Sequence, residues 1–354
     1  MILWLYNKSK TNIFALLKLH KVNKDYIKNI FENFNNKNVM IIGDVMIDSY
    51  LIGSIDRISP EAPVPIISAN NKENRLGGAA NVALNIKALE ATPIICTVIG
   101  NDFYGEIFEN LLNKRNITNE GIITSENRKT TSKTRIISQG QHLLRVDDEI
   151  CANLNNKDEE KLIERIIYIL NSKKVDVIIF EDYDKGVITD KIISEVIKLA
   201  NKKNIITTVD PKKRNFLKYK NVTLFKPNLK ELSEGLNINI DKNNINDINK
   251  ASTLLQKELN SNIIFSTLSE NGCFIMDNNE NYHIPAEIRK IADVSGAGDT
   301  VISVASLCLS LNMNIKDVAF VSNIAGGLVC ESVGVVSVNK FDLLTEIIKK
   351  LDKK

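Results

Sequence analysis

The chain has 354 residues, and its 46 Lys and Arg nearly balance 43 Asp and Glu, for a formal net charge of +3. That length buries a sizeable core, as one large α/β domain or two smaller ones, and the interspersed charges lack the basic stripe of a nucleic-acid binder. Five scattered cysteines (Cys96, Cys151, Cys273, Cys308, Cys330) show no C-x-x-C spacing, three isolated histidines (His20, His142, His283) offer no metal-ligand spacing, and no apolar run is long enough for a membrane span; this excludes a disulfide scaffold, a zinc site and a membrane-spanning helix, and fits a cytoplasmic protein.

Residues 1–37 are expected to be an N-terminal extension. Lys8 and Lys10 interrupt the apolar stretches Ile2–Leu5 and Ile13–Leu17 and no small-residue cleavage site follows, so a signal peptide is rejected. The segment is either poorly ordered or an amphipathic helix with Tyr26, Ile27, Ile30 and Phe31 facing inward. From residue 38 to 354 the pattern is that of one α/β domain. Asn38 to Ile42 reads as a buried parallel strand ending at Gly43-Asp44, and in an open α/β sheet the residue after a strand's carboxyl end faces the ligand crevice. Asp44 is therefore an acceptor candidate for sugar hydroxyls. Three prolines (Pro60, Pro63, Pro65) forbid a helix or central strand there and suit an extended edge arm. Gly77-Gly78 then open a helix, letting a ligand approach the backbone, with Asn81 one turn in and able to donate and accept.

Further along, Ile94 to Gly100 is a second buried strand followed by a helix from Glu106 to Arg115. A hairpin with strands near Thr134–Ser138 and Leu143–Asp147 carries Arg135 and Arg145, and with the proline arm it forms a small sheet outside the main one, a lid of about residues 50–68 and 130–147. From Asp158, helices (Lys161–Asn171, Thr189–Asn201, Ile248–Leu259) alternate with apolar strands (Val175–Phe180, Ile205–Val209, Val222–Phe225, Asn262–Thr267). The expected fold is thus a doubly wound, mostly parallel sheet with helices on both faces and polar residues gathered after the strands. Asp293-Val-Ser-Gly-Ala-Gly-Asp299 then precedes an apolar helix. Its glycines let the backbone turn with N–H groups inward, at a helix N-terminus suited to a phosphoryl group, and Asp299 sits there as a base for an alcohol. Taken alone, the same stretch reads equally as a Gly-rich turn capping an ordinary helix.

The residues converge on one crevice with the parts that phosphoryl transfer needs: Asp299 as base, the Gly296, Ala297 and Gly298 amides as anion hole, and Asn228 with Glu231 as metal-phosphate handle. No G-x-x-x-x-G-K-[ST] loop, protein-kinase motif or dinucleotide G-x-G-x-x-G is present.

This set resembles the ribokinase (PfkB) family of sugar kinases from about Asn38 to Ile348, most specifically through Asp293–Asp299, Gly77-Gly78-Ala79-Ala80-Asn81 and Asn228-x-x-Glu231. Within that family the likeness is to the heptose-7-phosphate kinases of ADP-heptose synthesis, and it rests on Gly43–Asp48, Arg57 to Pro65, Asp182–Gly186 and Asp293–Val301; general ribokinases lack the proline arm. The resemblance implies transfer from Mg²⁺-ATP to the anomeric C1 hydroxyl of D-glycero-D-manno-heptose 7-phosphate, with Asn228 and Glu231 holding Mg²⁺ through water and phosphate. It implies Ser269, Gly272 and Asn323 at the nucleotide end, Asp44, Gly77, Gly78 and Asn81 on the sugar, and Lys185, Arg135 and Arg145 as candidates for the 7-phosphate. Asp293 and Ser295 are implied in binding a monovalent cation such as K⁺, and the arm and hairpin in pairing two subunits. Many of those kinases continue into a nucleotidylyltransferase domain; with the last residue at Lys354, the kinase step alone is expected. The rivals are a kinase for another sugar or nucleoside, and a binding regulator that has lost turnover.

Overall fold

Successive side chains of strand β1 (Asn38–Gly43) point to opposite sides, and both sides are apolar. Val39 and Ile41 enter one buried cluster and Met40 and Ile42 another, as a strand covered on both faces requires. The computed structural model describes residues 23–287 and 289–352. The apolar stretches Ile2–Leu5 and Ile13–Leu17 lie outside the described residues.

The small sheet begins at once after β1, with β2 (Val45–Ile58) and β3 (Pro65–Gly78). The chain continues through β4 (Thr92–Gly100), β5 (Ile122–Ser125), β6 (Ser132–Ser138), β7 (Gln141–Asp148), β8 (Val177–Glu181), β9 (Ile206–Asp210), β10 (Leu224–Phe225), β11 (Ile263–Thr267), β12 (Cys273–Met276) and β13 (Asn281–Ile284). Among the described residues nine strands form the main sheet, in the order β13-β12-β11-β10-β9-β8-β1-β4-β5. It is parallel from β5 across to β11, and β12 and β13 add an antiparallel edge.

Helices Ala79–Ala88, Phe103–Lys114, Ala297–Ser310 and Ile315–Val329 cover one face, joined by buried residues of Lys24–Glu32 and Lys340–Asp352. Helices Asn156–Ser172, Asp190–Lys202, Leu229–Leu236 and Ile245–Leu259 cover the other. Ile27, Ile30 and Phe31 of the first helix are buried, so that segment is an amphipathic helix laid on the domain. Its start is set by Asn23, whose side chain accepts from the Tyr26 N–H.

The second sheet has the order β3-β2-β6-β7. The proline arm is the tip of a long β2–β3 hairpin: Pro60 and Pro63 lie in the turn between the strands, and Pro65 is the first residue of edge strand β3, where a missing N–H is tolerated. Cross-strand register gives this sheet two different faces. Tyr50, Arg135 and Arg145 oppose one another on one face, and Leu51, Ile136 and Leu144 on the other.

Candidate active site

Parallel pairing brings the carboxyl ends of β1, β8, β9 and β10 to one edge. Glu181 and Asp210 are register partners at the ends of β8 and β9, and the Ala297–Ser310 helix starts against them with Asp299 in its first turn. One carboxylate oxygen from each of the three residues lies within 4.8 Å of the others, and all three are buried. The Lys226 ammonium, just past β10 and also buried, sits 2.8 Å from Asp210. Burial pushes the Asp299 carboxyl up to about 6, with Asp210 adding to the rise. Glu181 is driven well above the usual carboxylate range by burial, then by Asp210 and Asp299, and its Oε2 has no hydrogen-bond partner among the described residues. Burial works against the charge on Lys226, but Asp210 and Glu231 outweigh it and hold the ammonium protonated.

Asp299 is gripped from two sides. Asn81 Nδ2 donates to its Oδ2 at 2.6 Å and the Tyr183 hydroxyl to its Oδ1 at 2.9 Å. The helix it opens is N-capped by Gly296 at φ 79°, in the left-handed region, where a Cβ would meet the Asn81 amide and Val335 at 3.0 Å. Ala297 and Gly298 follow, at the helix end where main-chain N–H groups have no intrahelical partner and the partial charge is positive. A buried carboxylate, a helix N-terminus and a buried ammonium therefore lie together, an arrangement that can help move a phosphoryl group onto an alcohol.

Asn228 and Glu231 first of all cap a helix. The Asn228 side chain accepts from the Glu231 N–H at 2.8 Å and the Glu231 carboxylate from the Asn228 N–H at 2.9 Å, a capping box opening Leu229–Leu236. The second Glu231 oxygen accepts from Lys212 Nζ at 2.6 Å. Farther along, Ser269 lies on the turn before Gly272; the Asn323 side chain donates to the Pro285 carbonyl, against the same segment that Gly272 packs on. The Asp293 carboxylate accepts from the Ser295 N–H at 2.9 Å and the Gly334 N–H at 3.0 Å, and these bonds hold it below the usual carboxylate range.

The sugar-side candidates are placed differently from expectation. Asp44 is 1% exposed, and both its oxygens are engaged by the loop after β8: Tyr183 N–H at 2.9 Å and Lys185 N–H at 3.1 Å on Oδ2, Val187 N–H at 2.9 Å on Oδ1. It anchors that loop, with three of the carboxylate's acceptor sites taken by main-chain N–H groups. The space over Gly77 and Gly78 is likewise filled from within, by the Asp48 carboxylate and the Asp44 carbonyl. Asn81 faces Asp299. Each cationic candidate carries a carboxylate: Arg135 that of Asp48, Arg145 that of Asp147, and Lys185 that of Glu149.

Sequence reasoning missed Glu181, Asp210, Lys226, Lys212, Tyr183 and Arg75 as site residues. The first three share a legible signal, since each is the last residue of an apolar strand or the next one along. Arg75 stacks 4.7 Å from the Tyr50 ring, with Arg135 at 5.3 Å, and its guanidinium reaches the Gly334 turn. Only cross-strand register reveals that grouping.

A model of the pfkB family carbohydrate kinases matches residues 36–341. The chain is 37% identical over 298 residues to the bifunctional protein HldE of Helicobacter pylori (strain Shi470), covering 84% of this chain and 64% of that protein. It is 40% identical over 299 residues to the bifunctional protein HldE of Aliarcobacter butzleri, covering 84% and 61%. The chain thus spans less than two thirds of the length of these relatives. Among solved structures it is similar to phosphofructokinase-2 from Escherichia coli in complex with potassium, with a TM-score of 0.72 at 20% identity over 89% of this chain and 99% of that one. It is also similar to an Arabidopsis thaliana ribokinase complexed with ribose and ATP, with a TM-score of 0.66 at 16% identity over 87% and 98%. Both are likenesses of fold. With the fold described and the family model matching residues 36–341, the chain belongs to the pfkB family of carbohydrate kinases.

Proposed function

We propose that the chain phosphorylates the anomeric C1 hydroxyl of D-glycero-D-manno-heptose 7-phosphate with ATP, yielding the 1,7-bisphosphate for ADP-heptose synthesis. The observation that carries the reading is Asp299, clamped by Asn81 and Tyr183 at the positive end of a helix. The identity to the two HldE proteins and the proline arm support this sugar over a plain pentose. A non-catalytic regulator has no use for a buried base at an anion hole.

In this reading Asp299 takes the C1 hydroxyl proton while the amides of Gly296, Ala297 and Gly298 bear the charge on the moving phosphoryl group; losing one such donor costs about 3–4 kcal/mol of transition-state stabilisation. Arg75 on β3, Arg135 on β6 and Arg145 on β7, on the Tyr50 face of the small sheet, are the guanidiniums offered to the 7-phosphate. The family implies ATP and a divalent metal. Mg²⁺ would neutralise phosphate charge. The donor set at Asn228 and Glu231, an amide oxygen and a carboxylate, fits it. Ser269, Gly272 and Asn323 would line the nucleotide end. Asp293, held ionised beside Ser295, would suit K⁺.

The small sheet would close over the sugar with its arginine face and pair two subunits with its other face. Its apolar row of Leu51, Ile136 and Leu144 supports that, as do Ile58, Val64, Leu143 and Val146, all exposed large hydrophobics in the same sheet or its hairpin tip. Among the described residues no helix is long and apolar enough to cross a membrane. The test is an ADP-release assay with ATP and heptose 7-phosphate, the product anomer read by phosphorus NMR. Turnover of a plain pentose with none of heptose 7-phosphate rejects the reading.

A further inference from the structure

We propose that Tyr183 is a positioning residue for phosphoryl transfer: its hydroxyl fixes the Asp299 carboxylate from the side opposite Asn81, so that the base keeps one orientation toward the acceptor hydroxyl. The inference rests on the reading of Asp299 as that base.

A carboxylate at the end of two rotatable bonds can swing, and a base that swings loses the alignment that makes proton removal fast. Here each oxygen has its own donor, Asn81 Nδ2 at 2.6 Å on Oδ2 and the Tyr183 hydroxyl at 2.9 Å on Oδ1. Hydrogen bonds to an ionised acceptor are the strong kind. The phenol is itself held at both ends. Its backbone N–H is tied to Asp44 at the end of β1, and Lys212, paired with Glu231, lies 5.6 Å from the ring centroid. The loop thus runs from Asp44, through Tyr183, to the atom that would do the chemistry.

The groups facing Asp299 explain why a donor is needed. Glu181 from β8 and Asp210 from β9 oppose its charge, Lys226 after β10 favours it, and Asn81 from the Ala79–Ala88 helix and Tyr183 from the loop after β8 donate to it. A hydroxyl donating to the ionised form favours ionisation, so its removal raises the pH at which the base becomes available.

The test is Tyr183→Phe, which keeps the ring near Lys212 and removes only the oxygen, assayed by ADP release with ATP and heptose 7-phosphate. The expected result at pH 7 is a fall in kcat of about tenfold with KM for both substrates changed by less than about twofold. The acid limb of the kcat–pH profile moves up by about one unit, so the deficit shrinks at alkaline pH. An unmoved acid limb overturns the assignment. Should the Phe variant not fold, 3-fluorotyrosine at position 183, a more acidic phenol and stronger donor, is expected to move the limb down, and an unmoved limb again overturns it. Asp299→Asn runs alongside: turnover retained there overturns both the base and the Tyr183 assignment, whereas turnover lost there with an unmoved Tyr183→Phe limb overturns the Tyr183 assignment alone.

Discussion

Replacing Asp299 with Asn is expected to abolish turnover and to make the protein harder to unfold. The carboxyl is buried beside Glu181 and Asp210, and its folded-state value is displaced from 3.8 to about 6. The folded protein therefore holds this proton more tightly than the unfolded chain does. Stability contributed by the site is undiminished below pH 3.8, falls as the pH rises through the interval, and has lost its full amount above 6. The displacement corresponds to roughly 3 kcal/mol, and for a chain of this size to a rise in Tm of about 5 °C when the ionisation is removed. An Asn side chain imitates the neutral acid: its carbonyl accepts from Asn81 and its amide donates to the Tyr183 oxygen. Thermal unfolding of wild type and variant across pH 4 to 8 measures the difference, which is expected to vanish near pH 4 and reach its maximum above pH 6. The ADP-release assay is expected to fall by about 10²–10⁴-fold, the usual worth of a general base. A variant no more stable than wild type at pH 8, or equally stabilised at pH 4 and pH 8, refutes the claim that burial strains an ionised Asp299.

Asp44→Asn keeps the shape of the side chain but turns one of its acceptor atoms toward a backbone N–H as a donor. One unsatisfied buried group costs about 1–3 kcal/mol, so a drop in Tm with little change in sugar KM is expected, and a raised KM at unchanged Tm would make Asp44 a sugar ligand after all. Glu231→Gln keeps the helix cap, since Gln also serves in a capping box, but breaks the ion pair with Lys212; unfolding is expected to shift little while the Mg²⁺ concentration for half-maximal rate rises, as a Mg²⁺ titration reads out. Leu144→Glu, at a position 58% exposed, is expected to leave folding within about 0.5 kcal/mol while converting a dimer to monomer in light scattering, and a dimer that persists refutes the pairing through this face.

What could be read from the chain was set by local chemistry. Both faces of a central parallel strand are apolar, so β1 and β4 stand out as continuous runs. The glycine-punctuated approach to Asp299 is visible because the positive φ of Gly296 and the 3.0 Å approach of Asn81 and Val335 favour glycine there. The Asp210–Lys226 pair was hidden in plain sight at the ends of strands, where residue type says that a side chain faces the crevice but not which neighbour it meets. Asp44 shows the complementary limit: its position after β1 is legible, but not that three main-chain N–H groups of a loop some 140 residues away in sequence also reach its carboxylate. The antiparallel edge of β12 and β13 went unread, since each is only four residues long, β12 buried throughout and β13 alternating, and runs that short carry little pattern.

Asn228-x-x-Glu231 shows how far a motif alone can carry an argument. Its spacing is what a capping box demands, and the two reciprocal hydrogen bonds account for both residue types without any ligand. What the cap leaves over is one Glu231 oxygen, and that oxygen is held by Lys212, the same ammonium that lies over Tyr183. A cation arriving at Glu231 competes with Lys212 for it, and Lys212 in turn borders the phenol that holds Asp299. Glu231 and Asp299, the proposed nucleotide handle and the proposed base, are thus linked through Lys212 and Tyr183, a relation that no spacing in the sequence encodes.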